Sequence, residues 1–512
     1  MIRMTAAQAA ALVRTDDTLL IGGSGCGHAV PDALLAALGA RYRESGEPRD
    51  LTIVHPVGLG DGKARGVGHL AQDGLLKRVV TGTYVDSPGE ARMALDEKFE
   101  AYNLPQGVMS QLMREMAAGR PGLMTKVGLH TFVDPRLEGG RQNRRATEDL
   151  VEHVQFRGED YLFYKPFHVD IVFVRGSAAD EDGNISMEHE AVTLEMLSMA
   201  QAARRCGGLV VAQVRQVVPR GSLHPKMVKI PGILVDVLVV DPDQWQTFVT
   251  QDNPAYSGHL RVNLLDIPRL PAGPRRVIAR RGAMELFQGA ICNLGSGIST
   301  GIANVAAEEG VLDRVCLTNE QGNIGGAPSS REPGAALSPD AQIDQPYQFD
   351  FYDGGGLDLA FLSFAEFDAA GNVNVSRFNG RLVGPGGFIN ISQGAGKVVF
   401  GGTLSAGGVA KAVARVEQVT FSGDYARECG QRILYVTERA VFQLGAEGPE
   451  LIEIAPGMDL QADIMAAMGF RPRIAPALKV MDAALFGEGP MGLAARLPRH
   501  PPRAALARLS GG

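Results

Sequence analysis

Two stretches of this chain read alike, and that likeness limits the possible fold more than any other feature. "DIVFVRGSAADEDGNISM" starts at Asp170 and "DLAFLSFAEFDAAGNVNV" at Asp358. Each is an acid, an apolar run, a polar stretch, then Gly-Asn and alternating residues. Gly183 follows Asp170 at the interval by which Gly371 follows Asp358. A second apolar run comes after each, "GGLVVAQV" from Gly207 and "GKVVFGG" from Gly396. An earlier glycine turn leads into a helix-like stretch in each half, "LLIGGSGCGHAVPDALLAAL" and "AICNLGSGISTGIANVAAEEG". Such self-similarity is the mark of an internal duplication. The short apolar runs, mostly β-branched, alternate with helical stretches such as "PDALLAALGARYRE". The expected fold is therefore α/β: two tandem related domains, each an open, mostly parallel sheet covered by helices.

Length agrees, because 512 residues exceed one ordinary core. The join is expected in "IPRLPAGPRR", residues 267–276, whose prolines and arginines suit neither helix nor strand. This gives an N-terminal domain over 1–270 and a C-terminal domain over 277–490. The Pro- and Arg-rich segment 491–512 is expected to be a flexible tail.

Composition excludes several classes. Hydrophobic residues at 45% and charged residues at 21% describe a globular chain. A formal charge of -7 argues against a nucleic-acid partner, while leaving room for a local basic pocket that holds a phosphorylated ligand. The five cysteines are scattered and form no CxxC pair, so neither a disulfide framework nor a zinc site is expected, and a cytoplasmic location fits. "MIRMTAAQAAALVRTDD" reads as a short amphipathic helix, not a signal peptide. No apolar run approaches the roughly 18 residues of a membrane span.

The glycine turns fail as dinucleotide sites. His28 stands where the first would need its third glycine, and Thr300 where the second would. The acid expected after the next strand is also missing from "LTIVHPVG". Two readings remain: an anion-binding helix start, or a plain strand-to-helix turn.

One acid has a more specific setting. "LTNEQGNIGGAPSS", residues 317–330, places Glu320 between an apolar run and the glycines Gly322, Gly325 and Gly326. It follows "RVCLT", so it lies at the carboxyl end of an expected strand, where ligands gather in open α/β sheets. A carboxylate is ionised at neutral pH and can act as a nucleophile without a base, provided its electrophile is activated. A thioester is such an electrophile. Attack would give a mixed anhydride and a thiolate, which could return to the glutamyl carbonyl and form a glutamyl thioester. The glycines would let a long pantetheine arm approach. The alternative is a loop acid that caps backbone N–H groups.

The stretch "NEQGNIGGAP" resembles the Glu-x-Gly-x-x-Gly-Gly-x-Pro motif of family I CoA-transferases, above all the fused acetate/propionate/3-oxoacid type. "GGSGCGHAVPDALL", "YNLPQGVMSQLMREMAAGRPGLMTKVGLHTFVDPR", "NLGSGIS", "GPGGFINISQGAGKVVFGGT", "VEQVTFSG" and "VTERAVFQL" are similar to further family segments in the expected order, up to about Pro476. The resemblance implies the CoA-transferase fold and a ping-pong enzyme that passes through a glutamyl-CoA thioester. It implies Glu320 as nucleophile, the Gln106 side-chain amide as one oxyanion donor, and the backbone of Gly386 as the other, with Gly384 and Gly387 beside it. For Gln106 an ordinary helix-start position is the alternative. Gly295, Gly297, Gly384 and Gly387 become the candidate positions for holding the coenzyme A ester, a substrate and not a permanent cofactor. A homo-oligomer is also implied. Some family members have Ser-Glu-Asn-Gly around the nucleophile. Asn319-Glu320-Gln321-Gly322 departs from this, which points to the fused subgroup and blurs substrate inference from two-subunit enzymes.

Other candidates carry less. His189 lies between Glu188 and Glu190, but neighbouring strand residues face opposite ways, so no metal site is expected. His28, His55, His69 and His168 have no acid at ligand spacing. Cys26 and Cys316 lack an identifiable base, and Met109, Met113 and Met116 have the spacing of a core helix face. Three functions follow in order: a transferase moving CoA between a short-chain acyl-CoA and a carboxylic acid, an acyl-CoA hydrolase on the same scaffold, and a non-catalytic sensor of a CoA ester or sugar phosphate.

Overall fold

A computed structural model describes residues 1–264 and 267–499. The N-terminal half is built on an eight-stranded, wholly parallel sheet. Its strands are β1 (Ile2–Met4), β2 (Thr18–Ile21), β3 (Leu51–His55), β4 (Leu76–Thr81), β5 (Glu100–Asn103), β6 (Ile171–Arg175), β7 (Leu209–Val214) and β8 (Val237–Val240). Their order is β1-β8-β7-β6-β2-β3-β4-β5. Strand β6 is buried along its length and β7 from Val210 onward, as a parallel sheet covered on both faces requires.

The C-terminal half carries a ten-stranded mixed sheet. Its strands are β9 (Ile291–Leu294), β10 (Cys316–Thr318), β11 (Asn323–Ile324), β12 (Ala341–Gln342), β13 (Leu359–Ser363), β14 (Lys397–Gly401), β15 (Arg432–Val436), β16 (Ala440–Gly445), β17 (Gly448–Ile454) and β18 (Arg473–Val480). Their order is β12-β11-β10-β9-β13-β14-β15-β16-β17-β18. The parallel strands β10-β9-β13-β14-β15 repeat the order β3-β2-β6-β7-β8 of the first half.

The repeat extends to side chains. Asp170 Oδ2 accepts the Thr18 N–H at 2.8 Å and Asp358 Oδ2 the Ile291 N–H at 2.9 Å, so one acid aligns β2 with β6 and the other β9 with β13. Beyond these strands, Asp180 and Asp368 each accept two backbone N–H groups of a turn, with Gly183 at φ 83° and Gly371 at φ 85°. The duplication read from the two quoted stretches is thus one of topology and of turn chemistry.

Four helices join the halves: α1 (Gln106–Ala117), α2 (Met196–Cys206), α3 (Gln345–Asp353) and α4 (Phe388–Gly394). Helix α1 packs on α2 and on α3, and α3 on α4. Met109, Met113 and Met116 are buried in this layer, each stabilising it by about 1.5–3 kcal/mol. Gly107 is required there, because a Cβ would stand 2.3 Å from Phe349 Cδ1. Arg114 holds Asp350 through two hydrogen bonds of 2.6 Å, and Asp353 accepts from Gln111 at 2.8 Å and Asn390 at 3.0 Å.

Three expectations are corrected. The N-terminus opens with a strand, because Ile2–Met4 finds the free edge of β8, and only Ala6–Ala10 is helical. The expected join is irregular over 267–273, but Pro274 starts a helix, Pro274–Ala283, at the position where a missing N–H costs nothing. The segment from 491 is not loose over its described part. Glu309 accepts the Met491 and Leu493 N–H groups at 2.6 and 2.8 Å, and both side chains are buried. Residues 500–512 lie outside the described residues.

Candidate active site

Glu320 lies two residues beyond β10, at the carboxyl edge of the second sheet. The chain reverses at once, since β11 pairs antiparallel with β10 through Thr318 and Ile324. Gly322 makes this turn with φ 108°, and a Cβ there would lie 1.9 Å from the Ile343 carbonyl oxygen. A Cβ on Gly325 would meet Asp340 Oδ2 at 2.0 Å, and one on Gly326 the Leu337 oxygen at 2.3 Å. These glycines are therefore required by the packing of the turn against the protein itself.

The Glu320 side chain is half-buried. Burial pushes its carboxyl above the usual glutamate range, opposed by hydrogen bonding that includes the Gln321 and Asn293 amides. Gln321 Nε2 donates to Glu320 Oε1 at 3.3 Å. Asn293 Nδ2 donates to the Tyr352 hydroxyl at 3.2 Å, which lies 2.7 Å from Thr318 Oγ1. Gln348, one turn before Tyr352, is fully buried with neither amide atom hydrogen-bonded. The amides that face the acid are thus those of Gln321 and Asn293.

The loop 384–387 closes the other side. It belongs to the second half but hangs from the first. Tyr84 N–H and Thr83 Oγ1 both donate to the Val383 oxygen at 2.7 Å, and Gln106 N–H donates to the Gly386 oxygen at 3.0 Å. Gly386 N–H donates to the Gly82 oxygen at 2.8 Å and Gly384 N–H to the Ser376 oxygen at 2.9 Å. This corrects the assignment of Gly386, whose N–H is engaged in holding the loop. Among the described residues, the Gly387 N–H has no acceptor. A Cβ on Gly387 would lie 3.4 Å from Glu320 Cγ, so this residue faces the acid.

Gln106 opens α1 fully buried, and its Nε2 donates to Gln345 Oε1 at 3.1 Å. Gln345 opens α3 and donates through its own Nε2 to Glu195 Oε2 at 2.6 Å. Glu195 precedes α2 and also accepts from Ser110 Oγ at 2.8 Å; burial raises its carboxyl to about 7. Neither Gln345 nor Glu195 was a candidate from the sequence. Asn293, an amide inside the apolar run "AICNL", was the one neighbour with a readable signal.

The remaining candidates are dispersed. Gly295 and Gly297 form a turn at the end of β9, one strand from Glu320, with no hydrogen bond to the cluster. The Gly295 N–H bonds the Phe361 oxygen at 2.8 Å, and the neighbouring Ile298 N–H bonds Ser363 Oγ at 3.2 Å. The first glycine turn is filled: Gly25 abuts Asp86 and Gly27 abuts Phe248. Burial pushes the Cys26 thiol up to about 11, and the fully buried His28 down to about 4. Glu190 pairs with the buried Arg175 at 3.0 Å, while His189 stacks on His259. Among the described residues no group of acids, histidines and cysteines could hold a metal, and no helix is long and apolar enough to cross a membrane.

Known proteins share this chain's sequence and fold. Residues 3–241 match the model of the coenzyme A transferase family. The chain is 45% identical over 510 residues to a caffeate CoA-transferase of Acetobacterium woodii, covering 95% of this chain and 97% of that protein. The chain belongs to the coenzyme A transferase family. This CoA-transferase is also 43% identical over 508 residues to the acetate CoA-transferase YdiF of Escherichia coli K12, covering 96% of each. The crystal structure of the acyl-CoA transferase YdiF apoenzyme from Escherichia coli O157:H7 superposes with a TM-score of 0.92 at 43% identity, over 97% of this chain and 98% of that one. The same enzyme has been solved as a thioester complex with CoA, at a TM-score of 0.92 and 42% identity, over 97% of this chain and 98% of that one. The expected family, the α/β fold and the transfer of CoA all hold.

Proposed function

We propose that this CoA-transferase exchanges CoA between a short-chain acyl-CoA and a free carboxylate, in the acetate, propionate and 3-oxoacid class, with Glu320 as the nucleophile. The observation that carries the reading is the desolvated Glu320 carboxylate beside the unengaged N–H of Gly387. The Glu320 carboxylate attacks the thioester carbonyl. The oxyanion that forms accepts hydrogen bonds from the Gly387 N–H and from the second hydrogen of Gln106 Nε2. Collapse gives an acyl-glutamyl anhydride and CoA thiolate. The thiolate attacks the glutamyl carbonyl and releases the first acid, leaving a glutamyl-CoA thioester. The second carboxylate attacks that thioester, again giving an anhydride and CoA thiolate. The thiolate then takes the new acyl group and restores Glu320. One thioester forms for each broken, so no nucleotide is consumed. Two donors preorganised for one oxyanion are each worth about 2.7–4 kcal/mol by single-donor deletion.

The acyl class rests on the resemblance of the Glu320 motif and on relatives that act on acetate and on caffeate. The coenzyme enters as a substrate ester, with no resident cofactor. A cytoplasmic homo-oligomer fits the five free cysteines and the fused-chain family. The test is to incubate the protein with acetyl-CoA, trap with borohydride or hydroxylamine, and map the adduct by mass spectrometry. Modification within residues 317–330 that vanishes in Glu320→Ala is the expected result. An unmodified peptide under turnover, or an active Glu320→Ala, would refute the covalent route.

A further inference from the structure

The oxyanion donor Gln106 comes from the first half, whereas Glu320 and Gly387 come from the second. An amide in that place has two faces of similar shape, one with an oxygen and one with an NH2 group. Only the second can stabilise an oxyanion. Something must fix which face points at the reacting carbonyl.

We propose that Glu195 and Gln345 are positioning residues that set the polarity of the Gln106 amide through a buried hydrogen-bond relay spanning both halves. Glu195 Oε2 also accepts from Ser110 Oγ while Glu195 Oε1 has no hydrogen-bond partner among the described residues, so Oε2 is the acceptor whether or not Oε1 carries a proton. Glu195 Oε2, 2.6 Å from Gln345 Nε2, therefore draws the NH2 face of Gln345 toward itself. That leaves Gln345 Oε1 facing α1, where it accepts from Gln106 Nε2 at 3.1 Å. Gln106 must then present its NH2 group, with one hydrogen bound to Gln345 and the other free for the oxyanion. The members are at most 1% exposed, so water cannot substitute for any of them. Ser110, on α1 with Gln106, donates to the same Glu195 oxygen at 2.8 Å and keeps the carboxylate in place. The relay also follows the duplication. Gln106 and Gln345 are the first residues of α1 and α3, while Glu195 caps α2 where Gly387 caps α4.

This inference rests on the reading of Gln106 as an oxyanion donor, and the test separates the two. Steady-state rates are measured with acetyl-CoA and propionate for Gln106→Ala, Gln345→Leu, their combination, and the exchange Glu195→Gln with Gln345→Glu. Gln106→Ala is expected to lower kcat about 10²-fold. Gln345→Leu is expected to lower kcat about tenfold with KM within about twofold, since an oxyanion contact acts only in the transition state. In the Gln106→Ala background the same change is expected to cost less than about twofold, because Gln345 acts only through Gln106. The exchange restores an acceptor facing Gln106 and a donor facing the acid, so kcat is expected within about threefold of the parent. The exchange carries the test if Gln345→Leu does not fold. Equal losses in both backgrounds, or an exchange as slow as Gln345→Leu, would overturn the relay. Full activity in Gln106→Ala would overturn the oxyanion reading beneath it.

Discussion

Adding one methyl group at Gly387 tests the site without removing any functional group. Gly387 has φ -80° and ψ -1°, a conformation alanine adopts freely, so the backbone has no reason to move. The new Cβ would lie 3.2 Å from Ile391 Cδ1, 3.3 Å from Phe349 Cζ and 3.4 Å from Glu320 Cγ. Each contact is short by a few tenths of an ångström, so overpacking costs about 1 kcal/mol, the low end of its usual range. Glu320 is one of the neighbours that must yield. A misplacement of about 1 Å costs about 10²-fold in rate, so a few tenths cost about five- to tenfold. Gly386→Ala is the control. Its φ of 52° makes alanine strained by about 1–2 kcal/mol, but its Cβ would meet only Gln106 Oε1, at an ordinary 3.6 Å. The assay is kcat with acetyl-CoA and propionate beside a thermal melt for both variants. Gly387→Ala should be the slower enzyme and Gly386→Ala the less stable protein. A Gly386→Ala enzyme slowed more than Gly387→Ala would refute the assignment of the free donor to Gly387.

Burial raises the Glu320 carboxyl, so the acid limb of kcat/KM should fall above the ordinary glutamate range, and Gln321→Ala, which removes an opposing hydrogen bond, should move that limb to higher pH. A pH–rate profile reads both. Glu195 has a folded-state value of about 7 against an ordinary 4.5, so the folded form holds its proton more tightly and stability falls as pH rises between those values. Relative to Glu195→Gln, the parent should lose up to about 3 kcal/mol across that window and little beyond it, as thermal melts at stepped pH would show. Glu309→Ala leaves the Met491 and Leu493 N–H groups without their acceptor and should expose residues 491–499 to limited proteolysis, with little change in kcat.

Much of the architecture could be read along the chain because its causes are local. The runs from Leu51, Ile171, Leu209, Leu359 and Lys397 are strands, as their β-branched composition and flanking glycines indicate. The repeated Asp…Gly-Asn pattern marks a turn in which the acid and the glycine are both required within five residues. Glu320 was legible for the same reason: the glycines after it declare a tight turn at a strand end. What escaped notice depends on partners far along the chain. Ile2–Met4 becomes a strand because β8 offers an edge, and residues 491–499 dock because Glu309, Arg314 and Gln288 offer partners and the core takes Met491 and Leu493.

The sequence by itself determined two α/β halves of common design, and one acid set in a turn that presents it at the end of a strand. The tertiary structure alone decided which backbone N–H groups near that acid are engaged and which stay free. The glycines Gly384, Gly386 and Gly387 read alike in one loop, yet the first half consumes the N–H of Gly386 and leaves that of Gly387. Gln106 and Gln345 are 239 positions apart, and no periodicity joins them. The reason is physical. Conformational preference is a property of a few consecutive residues, whereas the allocation of hydrogen bonds is settled only when buried groups from distant segments must satisfy one another without water.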